Sequence, residues 1–277
     1  MRARRVIVTA DDFGLSAEVN EAVERAHREG ILNTASLMVA APAGADAIRR
    51  AHKLPSLHVG LHVVLVNGRP MLPPERVPDL VDAGGNFPSG LGGAGANFFF
   101  NHRARRQLAL EIRAQFEAFK ASGLVLDHVN AQNHMHVHPT VLGLILRIGR
   151  EFGLRAVRIP REPFGASWRS ARGNLPGRLA NAVLLAPWLT AMAYRVRRAG
   201  LAANDHIFGM NDTGRMEAGR VLAILEQLPA GVSELYFHPS AGDEEFAALI
   251  DPAVVRSLRS PQIELFSFGA LADSRAS

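Results

Sequence analysis

Short apolar runs alternate with longer segments of helical period along almost the whole chain. Residues 5–10 ("RVIVTA") are a β-branched apolar run bounded by charge, which predicts a buried strand. "SAEVNEAVERAHRE" follows with apolar positions at helical spacing, Ser16 placed as N-cap and Gly30 just past the end. Residues 35–41 predict a second strand, 46–52 a short helix and 57–65 a third strand. The Pro- and Gly-rich stretch 67–97 reads as a long loop, and 103–121 returns to helical period. Residues 126–130 predict a fourth strand, and Pro139 suits the first turn of the helix after it. Stretches 156–160, 206–210, 234–239 and 263–268 complete the set of strand candidates.

Strands that alternate with helices imply a parallel sheet with helical crossovers. Seven or eight such units in 277 residues suit an α/β, TIM-barrel-like (βα) barrel, closed or nearly closed, spanning 1–277 as a single domain. The alternative is a doubly wound open sheet. It lacks its usual dinucleotide fingerprint, because the turn after the first strand is "DDFG" and not Gly-x-Gly-x-x-Gly.

Residues 161–203 break the rhythm and predict a helical insertion or lid. Within them, 179–194 ("LANAVLLAPWLTAMAY") are apolar, flanked by Arg178 and by Arg195, Arg197 and Arg198, and interrupted by Pro187. Two readings stand: a buried helical hairpin or homodimer contact, and a lid that meets a lipid or a membrane surface.

Composition narrows the chemistry. With no cysteine, thiolate metal sites and disulfides are excluded, and any metal must use His, Asp or Glu. The net charge is +5, yet Lys53 and Lys120 are the only lysines, so the basic balance is largely an arginine habit. No interleaving of aromatic and basic residues supports nucleic-acid binding, and none is expected. The basic start is followed by too short an apolar run for a signal peptide, and no uninterrupted apolar run of about 18 residues predicts a membrane span. A cytoplasmic protein is the expectation, with peripheral contact at the inner membrane surface if the insertion meets lipid.

Candidate chemistry gathers at the C-terminal ends of the predicted strands, which share one face of a parallel barrel. Asp11 and Asp12 end the first strand, His62 lies late in the third, and His134, His136 and His138 follow the fourth. Arg158 is in the fifth and could position Asp11 or a substrate oxygen; His238, followed by Pro239, ends the seventh. Adjacent buried carboxylates repel unless a cation or proton stands between them; one could ligate while the other serves as a base. His62 could equally be a hydrogen-bonded core residue, and "DDFG" a plain turn. Clustered imidazoles favour binding a metal in their neutral form. Oxygen and nitrogen donors without sulfur suit one divalent ion, Zn²⁺, Mg²⁺, Mn²⁺ or Co²⁺. His238 is placed for acid–base work. The set implies metal-assisted hydrolysis of an amide or ester.

"VTADDFGLS", "HVGLHVVL", "NHMHVHP" and "ELYFHPS", in this order, resemble the signature blocks of the YdjC-like carbohydrate deacetylases, a family that includes chitooligosaccharide deacetylase. "NAQNHMHVHP" and "GMNDTGRM" look most like its hopanoid-biosynthesis-associated branch. The resemblance implies a TIM-barrel-like fold and removal of acetate from an N-acetylated sugar. It implies a divalent metal on Asp12, His62 and His134, with Asp11 as general base and His238 as general acid. On the branch resemblance the substrate is a glycolipid, a hopanoid carrying N-acetylglucosamine; an amino-sugar oligosaccharide is the alternative, and a non-catalytic sugar- or lipid-binding barrel is the rival of another class. One departure is that Asn133 and Met135 interrupt a block that often carries consecutive histidines. Because Pro139 starts a helix, the segment must bend before His138, so the three histidines cannot all face one ion. His134 is the expected ligand, His138 a second ligand or supporting partner, and His136 is expected in hydrogen bonds of its own.

Overall fold

The computed structural model describes residues 4–171 and 173–276. Seven strands, all parallel, form one sheet: β1 (Arg4–Phe13), β2 (Thr34–Leu37), β3 (His58–Val63), β4 (Val129–Ala131), β5 (His206–Phe208), β6 (Val232–Phe237) and β7 (Ile263–Leu265). The order across it is β4-β3-β2-β1-β6-β5. β6 takes one edge of β1 from Arg5 to Ala10. β7 and β2 therefore share the other edge, β7 at Arg4–Val6 and β2 from Thr9 onward.

Of the closed or nearly closed barrel expected, the sheet forms a TIM-like half-barrel, because the ladder stays open between β4 and β5. Residues 156–160, expected as a strand there, contribute only isolated bridges, Val157 to Val129 and Ala156 to Ala202. At Ile159 a side chain takes the place of a neighbouring strand. Asn204 accepts from the Ile159 amide at 2.8 Å and donates to the Ile159 carbonyl at 3.0 Å. One amide side chain thus takes the bonds that a neighbouring strand would have made.

The crossover helices form where the periodicity places them. Ser16 caps Ala17–Glu29 by accepting from the Val19 amide, and Gly30 ends it. Residues 67–90 are mostly loop, pinned by Glu111, which accepts from the Met71 and Leu72 amides; Gln115 holds the chain just before it, pairing with both backbone groups of Val64. The end of the expected loop is instead a helix, Leu91–Phe100.

The period-2 alternation of β1 divides the core. Val6, Val8 and Ala10 face the helices in the main apolar cluster. Ile7 faces inward, where Ala156, Ala202, Val232, Phe268 and Leu271 plug the bottom of the half-barrel. Above this plug the inward positions turn polar: Thr9 and Asp11 on β1, Glu234 and Tyr236 on β6, His62 on β3 and Asn130 on β4. The charged groups therefore sit at the C-terminal end of the strands, where Asp12 and His238 are partly exposed.

The insertion is two helices, Phe164–Ala171 and Leu175–Arg198. Pro187 does not break the second into a hairpin. It is exposed, on the side where water can meet the carbonyl it leaves unpaired. Nor is 179–194 buried: Leu189, Met192 and Ala193 face the protein, while Val183, Leu184 and Trp188 are exposed.

Candidate active site

Two irregularities set the geometry. The register of β1 on β2 shifts between Ala10 and Phe13, and Asp12 takes a left-handed conformation (φ 60°). Strict alternation is lost there, so Asp11 and Asp12 both reach the site. After β4, Asn133 (φ 50°) and His134 (φ 54°) are both left-handed, which turns the chain sharply within "QNHMHVHP".

Asp11 is buried, and Arg158 grips both its oxygens at 2.5 and 2.9 Å. The same guanidinium holds Glu234 through contacts of 2.7 to 3.0 Å, and Glu234 accepts from Thr9 Oγ1 at 2.7 Å. All three ionic side chains are buried. Burial alone would raise the proton affinity of Asp11; the charge and hydrogen bonds of Arg158, helped by His62 and His238, overcome this and hold its carboxyl well below the usual range. Asp11 is thus an ionised acceptor, already aimed.

Asn130 fixes how the neighbours are oriented. Its amide nitrogen donates to Asp11 Oδ1 at 3.1 Å and to Ser36 Oγ at 2.9 Å. An ionised carboxylate can only accept, so the Asn130 oxygen must face His62, whose Nδ1–H donates to it at 2.6 Å. This is possible because His62 and Asn130 lie directly opposite each other in the β3–β4 register. A neutral His62 then has its lone pair on Nε2, which sits 3.3 Å from Asp12 Oδ1. That oxygen is shut from solvent and has no hydrogen-bond partner. Two acceptors facing each other want a positive charge between them. Burial disfavours a charge on His62, but Asp11 and Asp12 outweigh it and raise its affinity for a proton. The pair Asp12–His62 fits a cation.

The chain of orientation continues inward. Because Ser36 accepts from Asn130, its own proton goes to His128 Nε2 at 3.1 Å, and His128 Nδ1–H meets Asp127 at 3.0 Å. Gly60 makes room for that imidazole: a Cβ there would lie 2.4 Å from its ring.

The three histidines of "NHMHVHP" separate. The Nδ1 of His134 is sealed from solvent without a partner, and its Nε2 is 3.4 Å from the Tyr236 hydroxyl. Burial and the charge of Arg158 push its pKa down to about 3, so it is neutral and free to ligate. His136 is buried and donates from Nε2 to the Arg158 carbonyl at 3.1 Å, in hydrogen bonds of its own. His138 packs edge-on against Phe98 and Phe99 of the Leu91–Phe100 helix and takes no part in the contacts around Asp12 and His62. His238 stands beside Tyr236 with ring centroids 5.3 Å apart; its amide donates to Glu245 and its Nδ1 has no partner. Pro239 follows it, buried. Among the described residues, no three His, Asp or Glu side chains are gathered tightly enough to make a complete cation site. Asp12 and His62 are the two brought face to face, with His134 within electrostatic reach of His62.

Sequence reasoning missed Asn130, Ser36, Glu234 and Tyr236. Their signal is a polar residue at every second place in an otherwise apolar strand: Thr34 and Ser36, His128 and Asn130, Glu234 and Tyr236 then His238. Such positions line the barrel interior.

The fold and the site together define a parallel α/β half-barrel with a carboxylate–histidine centre at the C-terminal ends of its strands. Residues 5–260 match the YdjC-like protein family, and the chain belongs to it. It is 36% identical over 156 residues to a carbohydrate deacetylase of Brevibacillus brevis, covering 56% of this chain and 59% of that one. It is 29% identical over 266 residues to one from Geobacillus stearothermophilus, covering 96% and 97%. A Vibrio vulnificus carbohydrate deacetylase is 37% identical over 151 residues, 53% of this chain and 56% of its own length. A solved structure from Enterococcus faecalis V583, a proposed cellobiose-phosphate cleavage protein, superimposes with a TM-score of 0.74 over 97% of this chain and 99% of its own. At 21% identity this likeness shows the fold.

Proposed function

We propose that the protein hydrolyses the acetamide of an N-acetylated sugar, the activity for which the similar proteins are named. The observation that carries this reading is Asp11, ionised and clamped by Arg158 and Asn130 beside the unpartnered Asp12–His62 pair. Asp12, His62 and His134 would hold a divalent cation, which when bound polarises an acyl oxygen and stabilises the charge that develops on it. Asp11 takes the proton of the water that attacks the acetyl carbon. Arg158 and Asn130 fix its carboxylate plane during that transfer. The C–N bond then breaks, and His238 supplies the proton that the departing amine requires. Acetate and a free amino sugar result.

The finer reading is that the sugar is N-acetylglucosamine on a hopanoid lipid. It is supported by the motif resemblance to that branch and by an apolar helix, Leu175–Arg198, that packs on residues following the C-terminal ends of β4 and β5. A soluble chitooligosaccharide is the competing substrate.

The test measures acetate release from diacetylchitobiose and from an N-acetylglucosamine-bearing hopanoid, with and without chelator. Loss of turnover in Asp11→Asn by about 10²–10⁴ is expected. Full turnover in a preparation shown to be metal-free removes the cation from this reading. No acetate from either substrate removes the deacetylase reading altogether.

A further inference from the structure

The helix Leu175–Arg198 is unlike the other helices in what it shows to solvent. It has no acidic residue and no lysine, and its one arginine before the last turn, Arg178, is buried. Leu175, Leu179, Val183, Leu184 and Trp188 recur at spacings of one, four and five along its outer face, with Pro176, Ala180 and Pro187 between them and Ala191 beyond. Leu184 is 70% exposed, Val183 62% and Trp188 53%. An ordinary surface helix carries charge on such a face. Here about three turns carry none.

The ends of the helix are bolted to the protein. Arg178 donates to Asp212 at 2.5 Å and lies 3.6 Å from Glu162, all three buried, and Arg195 donates to the Pro139 carbonyl at 2.9 Å. Burial raises the proton affinity of Glu162, a sign of how dry the inner anchor is. Between these anchors the apolar face stands outward. At the C-terminal end the chemistry changes abruptly. Arg195 and Arg198 share a cleft with Arg147 and Arg150, and Arg197 is exposed at the mouth of a separate cleft with Arg161 and His206. None of the five is ion-paired among the described residues, and Glu151, next along, is taken by Arg113.

We infer that this helix seats the protein on the surface of an anionic bilayer, with its apolar face in the interface and the arginine cluster on phosphate headgroups. The charge pattern selects this occupant. A second copy packed on the apolar face about a two-fold axis would set the two arginine ends at opposite ends of the contact and leave them unneutralised, whereas an anionic headgroup layer neutralises them. By length and composition the helix could also cross a membrane, but crossing would pull Arg178 out of its buried carboxylate site and drag it into hydrocarbon. Lying flat keeps every anchor. The inference is independent of the chemistry at Asp11.

The protein contains two tryptophans, Trp168 and Trp188, so Trp168→Phe leaves Trp188 as a reporter on the proposed face. Full-length Trp168→Phe protein is titrated with phosphatidylcholine vesicles and with vesicles containing phosphatidylglycerol. The expected result is a blue shift of Trp188 emission and co-sedimentation, tighter by about tenfold or more on the anionic vesicles and weakened by salt. Val183→Glu with Leu184→Glu should abolish both while the protein melts as before, and Arg197→Gln with Arg198→Gln should remove the preference for anionic lipid. No shift on either vesicle overturns the inference. So does vesicle-bound protein that resists alkaline carbonate extraction, which would show a crossing helix. A lipid-indifferent dimer that dissociates in the double glutamate variant would overturn it in favour of a second copy.

Discussion

Replacing Arg158 by methionine tests whether one guanidinium is the counter-charge of the whole site. The substitution keeps an unbranched chain of similar length but deletes contacts to Asp11 at 2.5 and 2.9 Å and to Glu234 at 2.7, 2.9 and 3.0 Å. Two buried carboxylates then face each other without a cation. Breaking a fully buried pair in this way costs about 3–5 kcal/mol. The cost should depend on pH, and the direction follows from the shifts. In the wild type the Asp11 carboxyl is depressed, so its stabilisation is complete above the unfolded value of about 4 and is lost only as pH falls through the lower folded value. In the mutant, burial and like charge push a carboxyl above that unfolded value. Its protonated form is then the one the fold favours, and stability drains away as pH rises through the new folded pKa. The gap between wild type and mutant should therefore widen between pH 5 and pH 8, by about 1.4 kcal/mol for each unit that the carboxyl has risen. Urea unfolding at the two pH values measures it. Adding Glu234→Gln should recover part of the loss by removing one of the two stranded charges. A destabilisation below about 1 kcal/mol that is the same at both pH values would refute the reasoning, since it would mean that water or another group already balances these carboxylates.

The orienting role of Asn130 has its own signature. Asn130→Ala frees the ring of His62, so affinity for an added divalent ion, read by calorimetric titration, should fall about 10–100-fold with little change in fold, as expected for a lost second partner of a ligand. An unchanged affinity would mean that the ring is held by packing alone. Gly60→Ala places a methyl 2.4 Å from the His128 ring and 2.6 Å from the His128 carbonyl, and backbone cannot withdraw as a flexible side chain can. A loss of about 1–3 kcal/mol in thermal or urea unfolding is expected, and a neutral result would show that β4 can shift sideways at low cost.

Much of the scaffold was legible as pattern. The 3.6-residue period and the Ser16 and Gly30 punctuation locate Ala17–Glu29 because a helix end needs a cap whatever surrounds it. Alternating strands and helices imply a parallel sheet, and that sheet places residues as distant as Asp11, His62, His134 and His238 on one face. The bend before His138 was readable from Pro139, and the private hydrogen bond of His136 followed from it. Failures cluster where a local rule was answered by a distant partner. Residues 156–160 have strand character, but their backbone bonds are divided among Val129, Ala202 and the Asn204 side chain, so only isolated bridges form and the barrel stays open. Pro187 reads as a breaker, yet the helix continues because the unpaired carbonyl faces water. His138 shares a periodic face with His134 on paper, but two successive left-handed residues turn the chain and hand its ring to Phe98 and Phe99.

By itself, then, the sequence determined which residue types could do chemistry and at which strand ends they would gather, since both depend on side-chain chemistry and on short-range period. It could not determine their partners. That Arg158 is shared by Asp11 and Glu234, that Asn130 turns His62 toward Asp12, and that Asn130 orients Ser36 and through it His128 are facts of how the strands and the segment beside them are set against one another. That setting couples positions about 70 to 220 residues apart through hydrogen bonds a few ångströms long, and only the folded chain brings those atoms within reach.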